Sequence, residues 1–172
     1  MGIYKIAVPR PVTSKTQILW SWIGAFIGIA LVSLITRIAL EGTSLTLIIG
    51  SFGASAVLIY GAEDSPLAQP RNLMGGHILS AIVGVTAFQL LPNQLWLAAP
   101  LAVATAIALM QFTSTLHPPG GATALIAVIG GENIHQLGYI YALFPVATGA
   151  LLMLIIALVI NKLAPGRTYP KK

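Results

Sequence analysis

The 172-residue sequence predicts an all-α fold: a polytopic transmembrane bundle of six hydrophobic segments, two of them short or broken, in a three-plus-three inverted repeat. Three observations lead there. Hydrophobic residues make up 56% of the chain and charged residues 8%, against about a quarter charged in an ordinary soluble domain. So few charges cannot cover a water-facing surface. The apolar residues fall in six runs with short polar connections, and the length allows one domain of such spans at about 20 residues each. Finally, the basic residues collect at the two ends: Lys5, Arg10 and Lys15 before the first run, Lys162, Arg167, Lys171 and Lys172 at the last. Nucleic-acid binding would need them together on one folded face. Flanking apolar runs, they follow the positive-inside pattern, which predicts cytoplasmic termini and an even number of crossings.

Residues 1–17 and 164–172 are accordingly expected as cytoplasmic tails around a single membrane domain, 18–163. The first run, 18–40, is broken only by Arg37 and is too long for the apolar core of a signal peptide. The second, 45–61, is shorter and carries Gly50-Ser51-Phe52-Gly53. A polar loop from Glu63 to Asn72 follows, then a run over 73–91 that ends at Pro92-Asn93-Gln94. The fourth covers 95–112. After Thr113-Ser114-Thr115-Leu116-His117-Pro118-Pro119-Gly120-Gly121 comes a short run, 122–129, and after Gly130-Gly131-Glu132-Asn133 a last one, 139–163. Small residues four apart (Gly24 and Gly28; Gly76, Ser80 and Gly84; Ala98, Ala102 and Ala106) let helix backbones approach closely in lipid.

The repeat is read from Gly53-Ala54-Ser55-Ala56-Val57-Leu58, which matches Gly121-Ala122-Thr123-Ala124-Leu125-Ile126 in type at each position. Each hexapeptide follows a long apolar run and a break, and each precedes a polar loop and another long run. Repeat one spans about 18–91 and repeat two about 95–163. A three-crossing unit inverts its second copy, and glycine-interrupted segments at matching positions mark a transporter's substrate site. If both short segments were instead re-entrant, four full crossings would remain, and the loop from Glu63 to Arg71 would face away from the termini.

The chemistry concentrates in His117-Pro118-Pro119-Gly120-Gly121. The prolines lack amide hydrogens and disfavour helix in the residue before them, so the chain is expected to be extended there. A helix starting at about Ala122 would begin inside the membrane, with free amide hydrogens that an anion satisfies and the helix dipole favours. Residues 50–55 would present an equivalent start. The carboxylates Glu41, Glu63, Asp64 and Glu132 all lie at predicted helix ends or in loops, which argues against a cation pathway and against paired-carboxylate hydrolysis. The chain has no cysteine, which excludes disulfides, thiolate metal sites and cysteine nucleophiles. We therefore expect no enzyme, no metal and no cofactor.

His117-Pro118-Pro119-Gly120-Gly121-Ala122 resembles the motif that gives the HPP family of membrane proteins its name. Phe52-Gly53-Ala54-Ser55-Ala56, Ser65-Pro66-Leu67-Ala68-Gln69-Pro70-Arg71-Asn72 and Gly75-Gly76-His77 are similar to the family's other segment. The resemblance covers about residues 17–164. It implies nitrite transport, as for members from cyanobacteria and plant plastids, and the plasma membrane of a bacterium of cyanobacterial type. Composition and spacing do not themselves select nitrite over nitrate, formate or another small anion.

The expected substrate-binding residues are His117, Pro118, Pro119, Gly120, Gly121, Thr123, Gly53, Ser55, His77, Arg71 and Asn72. His117 could bind the anion or carry a proton with it, because imidazole titrates near neutral pH; the alternative is a capping role at the broken helix. His77 lines the same pathway or is an interfacial histidine at a helix start. Arg71 either draws anions to the mouth or pairs with Asp64 or Glu63. Ser55 and Thr123 either donate to substrate or bond back to their own helices. Arg37 snorkels or pairs with Glu41, and Trp20, Trp22 and Trp96 read as interfacial anchors. The partners are then a lipid bilayer, a small anion such as nitrite and further copies in a homo-oligomer, with no nucleic acid. A structural or partner-anchoring membrane protein and, less favoured, an intramembrane enzyme are the competing classes.

Overall fold

The computed structural model describes residues 13–41 and 46–171, and all regular structure among them is helical. Helix α1 runs Lys15–Ala39, with Ser14 capping it by accepting from the Gln17 amide at 3.2 Å. After a non-helical stretch over 46–50 comes α2, Ser51–Gly61, and then a 3-10 turn, Pro66–Ala68. Helix α3 is Pro70–Leu90, α4 Leu95–Phe112, α5 Pro118–Ile129 and α6 Glu132–His135. A π-type turn, Ala142–Ala147, leads into α7, Thr148–Leu163.

Four helical stretches are long and apolar enough to cross a membrane: α1, α3, α4 and Ala142–Leu163. Helices α2 and α5 have 11 and 12 residues. At 1.5 Å per residue they cover little more than half of a hydrocarbon layer about 30 Å thick. The sequence places most boundaries within a few residues, and the differences have local causes. Helix α5 starts at Pro118 rather than Ala122, because a helix's first positions need no amide hydrogen and proline's fixed φ suits them. Pro70 opens α3 for the same reason. The last run is not one smooth helix: Phe144 has φ −136° and ψ 123°, and Pro145 after it has no amide to continue the ladder.

The small-residue ladders are the contact lines. Gly24 and Gly28 receive the ring of Tyr60, whose hydroxyl donates to the Met153 carbonyl at 3.0 Å. Gly84 lies so close to α5 that a Cβ would stand 2.5 Å from the Ala124 carbonyl oxygen. Ala98, Ala102 and Ala106 form the buried stripe of α4. Helix α3 packs on α4 and α5, while α1 packs on α2 and α7. The outer surface is apolar: Phe26 is 60% exposed, Leu90 71% and Phe112 87%. Such a surface is stable against lipid chains rather than water.

One end of the bundle is tied by its polar groups. Arg167 is inserted there, donating to the Tyr60 and Gln17 carbonyls, Asn161 Oδ1 and Ser21 Oγ at 2.7–2.9 Å, with Nε 3.1 Å from Glu63. Lys171 pairs with Asp64 at 2.8 Å. Residues 164–171, expected as a tail, thus fold back onto the body. The starts of α1 and α3, the end of α2 and the end of α7 meet at this end. Arg71 adds the end of α4 by donating to the Thr113 carbonyl at 2.7 Å, so it pairs with neither Glu63 nor Asp64. At the opposite end Thr86 of α3 meets Tyr139 at 3.0 Å, and Phe88 stacks on His135.

The contact lines make a stability prediction. Gly84→Ala drives a methyl into backbone and is expected to cost about 1–3 kcal/mol. Gly53→Ala meets nothing within 4 Å and is expected to be neutral or slightly stabilising. Thermal unfolding of both purified variants in detergent checks the contrast.

Candidate functional site

Where α2, α3 and α5 meet, the bundle holds five fully buried polar side chains: Ser51, Ser55, His77, His117 and Thr123. Ser51 and Ser55 are one turn apart on the inner face of α2. His77 lies in the second turn of α3, His117 is the residue preceding α5, and Thr123 lies in that helix's second turn. They form one hydrogen-bonded chain. His117 Nδ1 donates to the Leu67 carbonyl at 2.8 Å, and its Nε2 lies 2.9 Å from Ser55 Oγ. Ser55 Oγ is also 2.7 Å from His77 Nε2. His77 Nδ1 meets Thr123 Oγ1 at 2.7 Å, and Thr123 donates to Ser51 Oγ at 2.9 Å. The imidazole rings meet edge to face at 5.0 Å, and the Phe52 ring closes the other side of His77 at 5.4 Å.

The acceptor at the end of this chain is itself held. Leu67 sits in the turn after α2, where Ser65 Oγ accepts from the Leu67 amide at 3.2 Å. Gln69 Nε2 donates to the Glu63 and Ser65 carbonyls. Tyr169, from the folded-back end of the chain, donates to the Ala68 carbonyl at 2.9 Å. Burial pushes its phenol pKa up, so it stays a neutral donor.

The structure gathers four of the expected site residues (His117, Thr123, Ser55 and His77) and distributes the others around them. Gly120 is a packing residue: a Cβ there would lie 2.8 Å from Ser80 Oγ and 2.9 Å from the Gly76 carbonyl. Pro119 is buried and its carbonyl lies 3.3 Å from Thr123 Oγ1. Pro118 and Gly53 face outward, and Gly121 is half-buried. Asn72 donates to the Leu116 carbonyl at 2.9 Å and fixes the non-helical stretch leading to His117. Arg71 is at the bundle's end, away from the network.

Several of the amides expected to be free at the two helix starts are missing or taken. Pro118 and Pro119 have none, and the Gly120 amide donates to the His117 carbonyl at 2.8 Å. At α2 the amides of Phe52 and Gly53 donate to the Ile49 and Gly50 carbonyls. Two imidazoles are too few for a metal cage, and among the described residues no three metal-ligating side chains come together.

Sequence reasoning missed Ser51, the Leu67 carbonyl, the bond of Tyr169 to the neighbouring Ala68 carbonyl and the Arg167 cluster. A buried partner for the lone Asn161 inside an otherwise apolar run was the available signal: its amide donates to Ile59 and its oxygen accepts from Arg167.

With this geometry in hand, the chain matches the family described as HPP, transmembrane region, over residues 10–170. It belongs to the HPP transmembrane family. Two transmembrane proteins of Dictyostelium discoideum are similar to this HPP chain: one 46% identical over 93% of it and 57% of the relative, the other 49% identical over 90% and 50%. The chain thus spans about half the length of these curated relatives. They extend the family beyond the cyanobacterial and plastid setting that the resemblance implied. No solved structure matches.

Two ring nitrogens of His77 depend on hydroxyls from other helices. Thr123→Val removes one partner at nearly constant volume and is expected to destabilise the protein by about 1–3 kcal/mol, the cost of an orphaned buried polar atom. Thr123→Ser keeps the hydroxyl and is expected to recover most of it. Unfolding midpoints in detergent decide between them.

Proposed function

We propose that this HPP protein carries a small inorganic anion across the membrane, with nitrite as the first candidate substrate. One observation carries the reading: two histidines and three hydroxyls, all buried, converge where two short helices meet inside an apolar bundle. Ionisable groups in such a medium are costly and mark substrate or proton pathways. The buried side chains are the groups that would meet the anion, and the network has neither the carboxylate nor the cysteine that would favour an intramembrane enzyme. Nitrite rather than nitrate or formate follows from the family resemblance alone.

The inverted repeat belongs to the same reading. Exchanging α1 with α4, α2 with α5 and α3 with α7 maps the packed pairs onto each other. The pair α1 with α2 becomes α4 with α5, α1 with α7 becomes α4 with α3, and α2 with α7 becomes α5 with α3. Ser55 and Thr123, equivalent under this exchange, both bond to His77. Each short helix would then finish a crossing begun by a non-helical leg, giving six crossings with cytoplasmic termini. The ion pairs from the C-terminal segment to Glu63 and Asp64 favour this over the four-crossing arrangement, which would separate those groups across the membrane. Thin walls of this kind are commonly shielded by further copies, so we also read the protein as a homo-oligomer.

Protein in liposomes is expected to accumulate nitrite above protein-free controls, and His117→Gln to lower the initial rate at least tenfold. Full transport by that variant removes His117 from the pathway. Absence of flux for nitrite, nitrate and formate alike would leave a structural or anchoring role. For topology, single cysteines replacing Ser65 and Lys171 are expected to label from the same side of sealed vesicles; labelling from opposite sides overturns the six-crossing reading.

A further inference from the structure

The polar centre is shut: Ser51, Ser55, His77, His117 and Thr123 are at most 1% exposed. An anion that uses these side chains needs one side of the centre to open. The turn from Ser65 to Gln69 covers His117 from the tied end of the bundle, and it is thin. Pro66 is exposed on its outer side, while on its inner side the Leu67 carbonyl bonds His117 Nδ1 at 2.8 Å.

The bonding of this turn suits a part that moves as a unit. The Ser65 carbonyl accepts from the Ala68 amide at 3.1 Å, and Ser65 Oγ accepts from the Leu67 amide at 3.2 Å. Gln69 Nε2 donates back to the Glu63 and Ser65 carbonyls at 3.0 and 2.8 Å. The turn joins α2 through Ala62 and α3 through Pro70, where the Leu73 amide takes the Gln69 carbonyl. Beyond these flanks, three hydrogen bonds hold it among the described residues. One is the inner bond to His117. The other two are outer bonds: Tyr169 donates to the Ala68 carbonyl at 2.9 Å, and the Lys171 amide donates to Gln69 Oε1 at 2.8 Å. Both come from the C-terminal segment, which Arg167 anchors to α1 and α2 through the Gln17 and Tyr60 carbonyls. A segment with few attachments and an exposed face is the kind that opens locally.

We propose that Ser65 to Gln69 form a lid, latched by Tyr169 and Lys171, and that the His117 N–H beneath it is the first hydrogen-bond donor the transported anion meets from this end. The Leu67 carbonyl can only accept, so Nδ1 carries the hydrogen while the lid is closed. That carbonyl oxygen stands where an oxygen of a small oxyanion would accept the same hydrogen. Lifting the lid takes one acceptor away and the anion supplies another, so no buried donor is left unpaired. The imidazole stays neutral throughout, and its contact with Ser55 on the far side is unchanged. A cation finds only a donor there. The charges at this end act in the same sense: Lys15, Arg71, Lys162, Arg167 and Lys171 outnumber Glu63 and Asp64, which raises the concentration of anions at the lid.

This inference rests on the transport reading, and its test separates the two. The chain has no cysteine, so Gln69→Cys with Lys171→Cys places the protein's two thiols across the latch. A short bifunctional methanethiosulfonate joins them, and a reductant releases them. With the link in place, nitrite uptake into liposomes is expected to fall at least tenfold and to return with reductant, while the unfolding midpoint in detergent does not fall. A contact that only supports the fold would not lose transport by being fastened. In nanodiscs, carbethoxylation of His117 by diethylpyrocarbonate, read by mass spectrometry, is expected to rise several-fold in Tyr169→Phe. Sodium nitrite and the cross-link are each expected to slow it, with His135 at the opposite end unaffected. Uptake undiminished by the cross-link, or His117 reactivity indifferent to Tyr169→Phe and to nitrite, overturns the lid and leaves transport standing. Reactivity that rises in Tyr169→Phe and falls with the cross-link, without flux of nitrite, nitrate or formate, overturns the transport reading and the anion's contact with His117, and leaves the lid.

Discussion

Two histidines share one serine because α3 has no side chain at Gly76. A Cβ there would stand 2.5 Å from the Cβ of His117 and 3.0 Å from the Thr115 carbonyl. Its absence lets the chain before α5 lie directly on α3, so that His117 reaches Ser55 from one side while His77 reaches it from the other. The same contact line continues at Gly120 against Ser80 and at Gly84 against Ala124. Small residues that serve helix packing in lipid are, in this bundle, what sets the length of the hydrogen bonds at its centre.

The second constraint is that lipid offers no partners for polar groups. Each buried donor or acceptor must be met from within. The short helix α5 meets this by placing prolines at its first two positions, which removes two of the amides that would otherwise be orphaned. The C-terminal segment meets it at the bundle's end, where Arg167 closes the carbonyls of Tyr60 and Gln17 and pairs with Glu63. Two residues beyond it, Tyr169 holds the turn over 66–68 through the Ala68 carbonyl, beside the Leu67 carbonyl that orients His117. The last residues of the chain and the middle of the membrane domain are thereby parts of one hydrogen-bonded arrangement.

Much of this was legible before any coordinates. Composition and the six apolar runs made a membrane bundle the only economical outcome, and the four-residue spacing of small side chains marked the packing faces. His77, Ser55, His117 and Thr123 stood out because each is a polar group in an apolar setting. The expected amide-lined helix starts are reduced at α5, where two prolines occupy the first positions and the Gly120 amide donates to the His117 carbonyl. Arg71 and Gly53 belonged to the right segments but project elsewhere: whether a residue in an 11-residue helix faces a partner or lipid depends on helix rotation, and α2 is apolar on nearly every face.

The sequence by itself determined that this chain lives in lipid, that it is helical, and that two of its helices are too short to cross alone. These follow from local quantities, the hydropathy of a run and the backbone limits of proline and glycine, which need no knowledge of neighbours. Only the tertiary structure decided that residues 22, 40 and 62 or more apart in the chain bond around one hydroxyl, and that Arg167 folds back to seal the bundle's end. Hydrogen bonds at 2.7–2.9 Å are set by how closely helices approach, and that distance is a property of packed pairs, not of any single segment.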